Sequence, residues 1–336
     1  MTVSPEEHDR HSAGILSPVV ERIRLGDSQP LLISEAQVAE LLTMNRALEA
    51  VESAFRDWAF GRATNQPRQR IHTPQGTLHL MGACWHVKGY IGYKAYFSFP
   101  AGTRFHVVLA SAQSGEVLAL IEADLLGRIR TGAASGVATK HMARPDAQTV
   151  AIIGTGDQAR TQLEAVCAVR PIQQVRAYSR TPERLAQFAL QMEAQLGIPV
   201  LPAESVEQAG TDADIVITIT TAREPFLTGA LLKPGTHLNA GGANSLARRE
   251  LDTYAVARCD RIAVDDPQQA RLESAELVLP IEQRRLGWER VIPLAQIVAG
   301  QMPGRLAPEE ITLFKSLGIA LEDVAVASVV YEALAP

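Results

Sequence analysis

The sequence predicts an α/β fold in which a Rossmann-type, doubly wound parallel sheet is joined to a mixed α+β domain. Three observations carry that prediction. From residue 148 onward, apolar strands ("TVAII", "QVRAY", "DIVITIT", "THLNAGG", "DRIAVDD") alternate with helix-like stretches, the pattern of βαβ units. The first of those strands runs straight into a glycine loop, "GTGDQA". Before residue 143 the texture is different: "TLHLMGAC", "GYIGYKAYFSF", "RFHVVLASA" and "VLALIEAD" are strand-like segments, several of them separated by the turn formers "PAGT" and "QSGE".

In chain order, residues 1–30 show no periodicity and read as an N-terminal extension. Order begins at "LLISEAQVAELL", where Ser34 and Gln37 make a capping box. Val38, Leu41, Leu42, Leu48, Val51, Phe55 and Trp58 then recur at helical spacing up to Gly61. The four strand-like segments follow, and their short connections predict an antiparallel sheet. A helix from Leu125 to Ala143 ends at Arg144-Pro145. Residues 144–318 are predicted to form the dinucleotide-binding domain. Residues 31–143, joined by a C-terminal helix within 319–336, are predicted to form a substrate-binding and dimerisation domain.

Composition narrows the function classes. At 336 residues the chain is long enough for two domains, and 46% hydrophobic residues suffice for full cores. The net charge of −5, with no run of either sign, argues against a nucleic-acid or anionic-membrane partner. Cys84, Cys167 and Cys259 match neither a zinc spacing nor a disulfide framework, which predicts a reducing, cytoplasmic setting and no metal. The polar start "MTVSPEEHDR" has no signal-peptide pattern, and no apolar run reaches the roughly 18 residues of a membrane span.

The glycine loop has the G-x-G-x-x-A form, with Gly154, Gly156 and Ala159. Gly154 permits the tight turn, Gly156 lets backbone approach a pyrophosphate, and Ala159 lets helix pack on strand. The amides of Thr155, Gly156, Asp157 and Gln158 then open a helix toward the phosphates. Such a loop alone could be a plain strand-to-helix turn; here it sits inside a βαβ unit. The Asp157 side chain could repel phosphate, or could complement the helix dipole while only its backbone faces the ligand.

A dinucleotide-binding fold that prefers NAD carries an acid at the tip of the second strand, to accept from the ribose 2′-hydroxyl. Here, twenty-three residues past Gly156, the tip reads Ser179, Arg180, Thr181. An arginine with two hydroxyls donates to a 2′-phosphate instead. The alternative is a solvated arginine with Thr181 capping the helix before Pro182. In this context NADP(H) is the expected cofactor, with NAD(H) possible.

Three stretches, "GRIRTGAASGVATKHMARPDAQTVAIIGTGDQA", "LNAGGANSLARRELD" and "ITLFKSLGIALEDVAVA", resemble the ornithine cyclodeaminase/mu-crystallin family, and the similarity runs from Leu31 to the end. The resemblance implies a homodimer built through the N-terminal domain, with the active site between the domains. It also implies a carboxylate clamp of Arg68, Lys94 and Arg130, with Arg70 a rival to Arg68. Arg130 and Thr131, opening the long helix, Thr220 after "DIVIT" and Ser316 in "FKSLG" resemble cofactor-side positions. A hydroxyl at Thr220 or Ser316 could equally satisfy strand-end backbone.

Two positions depart from the cyclodeaminase pattern. Where cyclodeaminases and alanine dehydrogenases carry an Asp after the "NAxGG"-type strand, this chain has Asn244. An amide is no general base at neutral pH, so chemistry starting from a charged amine should suffer. Where cyclodeaminases carry an acid, this chain has His79, which suits a substrate ammonium poorly. A pre-formed cyclic imine asks less, since its C=N carbon accepts hydride once the nitrogen is protonated. The resemblance to ketimine reductases, which also lack the Asp, therefore implies an NADPH-dependent reductase of 1-pyrroline-2-carboxylate or 1-piperideine-2-carboxylate, with Lys94 and Asn244 as the groups near the imine. A lyase of the same family (3-hydroxyproline dehydratase or ornithine cyclodeaminase) and a non-catalytic NADPH-binding protein are the alternatives.

Overall fold

The computed structural model describes residues 21–25 and 29–335. Most of the predicted N-terminal extension lies outside the described residues. Its end does not: β1 (Glu21–Arg22) pairs antiparallel with β2 (Leu31–Ile33).

The expected helical region after Ser34 is two helices. Ser34 and Gln37 form the reciprocal capping box of α1 (Glu35–Leu41), and the Thr43 hydroxyl accepts from the Arg46 amide to start α2 (Met44–Ala59). The hydrophobic repeat runs across the break unbroken, so periodicity alone reads it as continuous; the second cap interrupts it. Gly61, at φ +71°, carries the chain out of α2.

Next come β3 (Ala63–Asn65), β4 (Gln69–His72), β5 (Thr77–Trp85), β6 (Tyr90–Phe99), β7 (Gly102–Ser111) and β8 (Val117–Glu122), leading into α3 (Asp124–Met142). The strand order is β1-β2-β8-β7-β6-β5-β3, with β4 also on β5. The long strands are antiparallel as the short turns require, but β2 joins β8 in parallel, so the sheet is mixed. One face of this sheet is buried. The other leaves alternate residues of β6 open: Ile91 is 43%, Tyr93 48% and Phe97 42% exposed.

The second sheet is built from β9 (Thr149–Ile153), α4 (Asp157–Val169), β10 (Gln174–Tyr178), α5 (Pro182–Leu196), β11 (Val200–Pro202), α6 (Val206–Gly210), β12 (Ile215–Thr218), β13 (His237–Ala240), α7 (Thr253–Ala257), β14 (Arg261–Val264), α8 (Pro267–Glu273), α9 (Ala275–Glu282), β15 (Val291–Pro293), α10 (Leu294–Val298) and β16 (Thr312–Lys315). All its strands are parallel, ordered β11-β10-β9-β12-β13-β16-β14-β15. Its central strands are buried on both faces, which explains their uninterrupted apolar sequences.

The last helix, α11 (Ala320–Leu334), leaves this sheet and packs back on α2, β5 and β6. Helix α3 packs on α4 at very short range: a Cβ on Gly132 would lie 2.3 Å from the Thr161 carbonyl oxygen. The two sheets are thereby fastened by α3 and α11, and the segments that follow β13 and β16 meet Arg70 and Arg68 through the carbonyls of Asn244, Leu317 and Gly318. Among the described residues, no helix is long and apolar enough to cross a membrane.

Candidate active site

The glycine loop has the geometry a dinucleotide needs. Gly154 stands at φ +110°, and a Cβ there would meet the Ile219 carbonyl oxygen at 2.4 Å, so only glycine fits. A Cβ on Gly156 would meet nothing within 4 Å. It would project into the open space through which a pyrophosphate must approach the amides that open α4. The Asp157 carboxylate turns outward, 73% exposed and 3.8 Å from Arg128. Ala159 is fully buried.

Beside the loop lies a groove of about 790 Å³ lined by Gly154, Thr155, Gly156, Ser179, Arg180, Thr181 and Thr220. Sequence reasoning missed two further cations on its wall, Arg184 and Arg223. Arg184 lies in the first turn of α5, while Arg180 precedes the helix's N-cap, Thr181. None of the three arginines is engaged in an ion pair or hydrogen bond among the described residues. Thr181 is the N-cap of α5 by position, yet its side chain caps nothing. Glu224 is the one acid on the wall.

The nicotinamide-side candidates are more deeply engaged. The Thr220 amide and hydroxyl both donate to Oε1 of Glu250, at 2.7 and 2.8 Å. The Thr131 hydroxyl donates to the Gly127 carbonyl, and Ser316 is buried at the end of β16. Of the Gln158 side chain, Oε1 is buried without a partner.

The clamp candidates Lys94, Arg130 and Arg68 are brought close enough to act on one another's charge. Lys94 on β6 and Arg130 on α3 both donate to Oδ1 of Asp323 on α11, each at 2.9 Å, and Arg130 also reaches Glu322 at 2.8 Å. Burial pulls the Lys94 ammonium down to about 8, although Asp323 pulls the other way. Burial also opposes the Arg130 cation, but Asp323 and Glu322 outweigh it and raise its pKa. Burial pushes the Glu322 carboxyl up to about 8 against the pull of Arg130. Lys94 lies 5.1 Å from the ring centre of Phe105, and a Cβ on Gly127 would come within 2.8 Å of its Nζ. The glycine of "LLGRIRTG" is what gives that ammonium room.

Arg68 is brought to the same cleft but is spoken for. Its side chain is 2% exposed and donates to Glu273 at 2.5 Å, to the Leu317 and Gly318 carbonyls and to the Met81 sulfur. Arg70, two residues on, shares Glu273 through the other carboxylate oxygen at 2.6 Å and donates to the Asn244 carbonyl at 2.9 Å. Asn244 is thus tied to Arg70 through its backbone carbonyl. His79 lies in the same row: the strand register sets Arg70, His79, Tyr96 and Phe105 side by side. Its ring stacks on Tyr96 at 4.1 Å, and burial, then Arg70 and Arg68, hold it down at about 4, so it is neutral.

A second buried network supports the loop after β13. Glu250 accepts from Thr218, Thr220 and the Gly242 amide, while Lys315 donates to the Ala240 and Ala243 carbonyls. Glu276 joins the two by accepting the Glu250 amide and lying 3.7 Å from Lys315. The acids Asp323, Glu322, Glu273 and Glu250 were not singled out in the sequence. The signal available was a pair of acids inside the otherwise apolar "GIALEDVAVASVV". Among the described residues, no cluster of three or more His, Cys, Asp or Glu side chains is placed to hold a metal.

Comparison with known proteins accords with this geometry. Residues 28–335 match the ornithine cyclodeaminase/mu-crystallin family, and the chain belongs to it. It is 35% identical to a delta(1)-pyrroline-2-carboxylate reductase of Bacillus cereus, covering 90% of this chain and 96% of that one. The structure of Thermococcus litoralis delta(1)-pyrroline-2-carboxylate reductase, in complex with NADH and L-proline, matches at TM-score 0.86 and 36% identity, over 90% of this chain and 96% of that chain. An archaeal alanine dehydrogenase, described as a dimer with bound NAD, matches at TM-score 0.85 and 34% identity, over 90% and 95%. The fold is thus that of the family's Rossmann-type dehydrogenases, and the protein is a nicotinamide-dependent oxidoreductase.

Proposed function

We propose that this family member is an NADPH-dependent reductase of cyclic ketimines, taking 1-pyrroline-2-carboxylate, and 1-piperideine-2-carboxylate with it, to L-proline and L-pipecolate. The observation that carries the reading is the meeting of Lys94 and Arg130 on one oxygen of Asp323.

In this mechanism the substrate carboxylate lies on Lys94 and Arg130, with Arg68 behind them held by Glu273. Two point cations fixed by buried acids orient a flat imine without moving themselves, which is where most of the rate gain from positioning arises. The imine carbon takes hydride from the reduced nicotinamide and the nitrogen takes a proton, so C=N becomes CH–NH. Lys94, held near 8, can keep that proton available at neutral pH, directly or through water. Asn244 hydrogen-bonds the nitrogen or a water beside it. The amide at this position disfavours the lyase alternative, which needs a base for the charged amine.

For the cofactor, Gly154 and Gly156 cradle the pyrophosphate. Arg180, Arg184 and Arg223 stand free for a 2′-phosphate, which supports NADPH; Glu224 on the same wall, and the NADH or NAD of the structural relatives, keep NADH in the comparison. Residues 31–143 with 319–336 form the substrate-binding half, residues 144–318 the cofactor half. The open apolar row Ile91, Tyr93 and Phe97 supports a homodimer. Three free cysteines fit a reducing cytoplasm.

A substrate survey tests the reaction class. A reductase oxidises NADPH on addition of either cyclic imine and leaves 3-hydroxyproline and ornithine untouched. Consumption of hydroxyproline or ornithine without net cofactor turnover would establish the lyase instead.

A further inference from the structure

A second cavity, of about 580 Å³, shares no lining residue with the dinucleotide groove, and none of the clamp candidates borders it. It is walled by the end of α2, by β3 and by the starts of α8 and α10. Its chemistry is the reverse of the groove's. No lysine, arginine or histidine lines it, and its one acid is Asp266. The side-chain amides of Gln66, Gln268 and Gln296 and the indole N–H of Trp58, all on its wall, engage no other described residue.

Asp266 is 3% exposed and forms no ion pair among the described residues. Four other buried acids, Glu273, Glu276, Glu322 and Asp323, each face a cation. The preceding residue, Asp265, is also buried without an ion pair among the described residues, and burial, with the charge of Asp266 adding to it, lifts its carboxyl to about 6. Adjacent buried carboxyls with no counter-charge are costly to hold. Oδ1 of Asp266 accepts the Gln268 and Gln269 amides, and Oδ2 accepts the Asn65 side-chain amide at 2.9 Å. One acceptor position on Oδ2 is left over. The three donors hold the carboxylate in place, so a ligand need not order it.

The lining selects among ligand classes. An anion would be repelled by Asp266, and a wholly apolar molecule would strip three amides of water with no return. A neutral polar molecule gains hydrogen bonds but leaves the charge unanswered. An organic ammonium meets all three features: the charge of Asp266, the glutamine oxygens and the face of Trp58. The volume lies within the range of small-molecule sites.

We propose that this cavity is a binding site for a small organic ammonium ion, separate from the site of hydride transfer. The inference is independent of which imine is reduced, and its test needs no turnover.

The full-length protein is titrated by calorimetry with n-butylammonium and with 1-butanol, its uncharged counterpart. The ammonium is expected to bind one per chain and at least about tenfold tighter than the alcohol, as one charge-assisted contact allows. In Asp266→Asn, which keeps an N-cap oxygen for α8, that preference should fall to about one. Gln296→Lys leaves Asp266 and its bonds untouched, hangs an ammonium in the cavity, and should abolish n-butylammonium binding. This second variant decides the matter if the first does not fold. Equal binding of amine and alcohol by the wild type overturns the proposal. So does an ammonium preference that survives in either folded variant, which would put the site elsewhere.

Discussion

Lys94 on β6 and Arg130 on α3 donate to the same oxygen of Asp323, each at 2.9 Å. One buried acid thus fixes two cations from different elements. Its presence also sets how the site responds to pH.

Lys94 is held near 8, chiefly by burial, with Asp323 opposing that shift. A carboxylate ligand requires the charged ammonium, so affinity should be full below about pH 8 and fall above it. Pyrrole-2-carboxylate does not titrate in this range and isolates the protein's contribution. In Asp323→Asn the limb moves to lower pH, because the charge that favoured the ammonium is gone. A limb that stays in place would show that Lys94 does not set it. Removing one partner of a buried ion pair should also cost about 3–5 kcal/mol of stability, read by urea denaturation.

The two loop glycines should fail differently. Gly154→Ala forces a Cβ to 2.4 Å from a carbonyl oxygen at φ +110°, and should cost about 2 kcal/mol or more in stability. Gly156→Ala meets no protein atom, so its stability should stay within about 0.5 kcal/mol while cofactor affinity drops about tenfold. Thermal denaturation paired with cofactor titration separates the two.

Arg180→Ala should lower kcat/KM for NADPH by about ten- to a hundredfold with little change for NADH, since one charge-assisted contact is removed. Arg184→Ala should act in the same direction, and the double variant should favour NADH. Parallel loss with both cofactors would place these arginines elsewhere than on the 2′-phosphate.

Tyr93→Glu with Phe97→Glu puts two charges on the open face of β6. A homodimer through that face should become monomeric by light scattering while its far-ultraviolet circular dichroism is retained. A dimer that survives would place the interface on another surface.

What could be read from the sequence was what is local. The glycine loop, the Ser-Arg-Thr tip, the cap at Ser34 and Pro182 in the first turn of α5 are each specified within a few residues, and α4 and α5 follow their hydrophobic periods, whereas α3 and α11 are buried nearly all round. What could not be read was what arrives from far along the chain. Asp323 reaches Lys94 across 229 residues, and Glu273 reaches Arg68 across 205. On a helix pattern an acid reads as solvated unless its partner is known. The parallel pairing of β2 with β8 escaped for the same reason, since only consecutive strands advertise their pairing through turns. Arg184 was not legible because a cation in the first turn of a helix reads as solvated unless the groove beside it is known.

The central claim is that the cleft of Lys94 and Arg130 serves an imine delivered to a reduced nicotinamide. The most direct measurement follows the absorbance of NADPH, and separately NADH, when 1-pyrroline-2-carboxylate is added to the purified protein. Rapid oxidation with NADPH preferred, lost in Lys94→Met, is expected. No oxidation with either cofactor, at protein concentrations where cofactor binding is saturated, would contradict it.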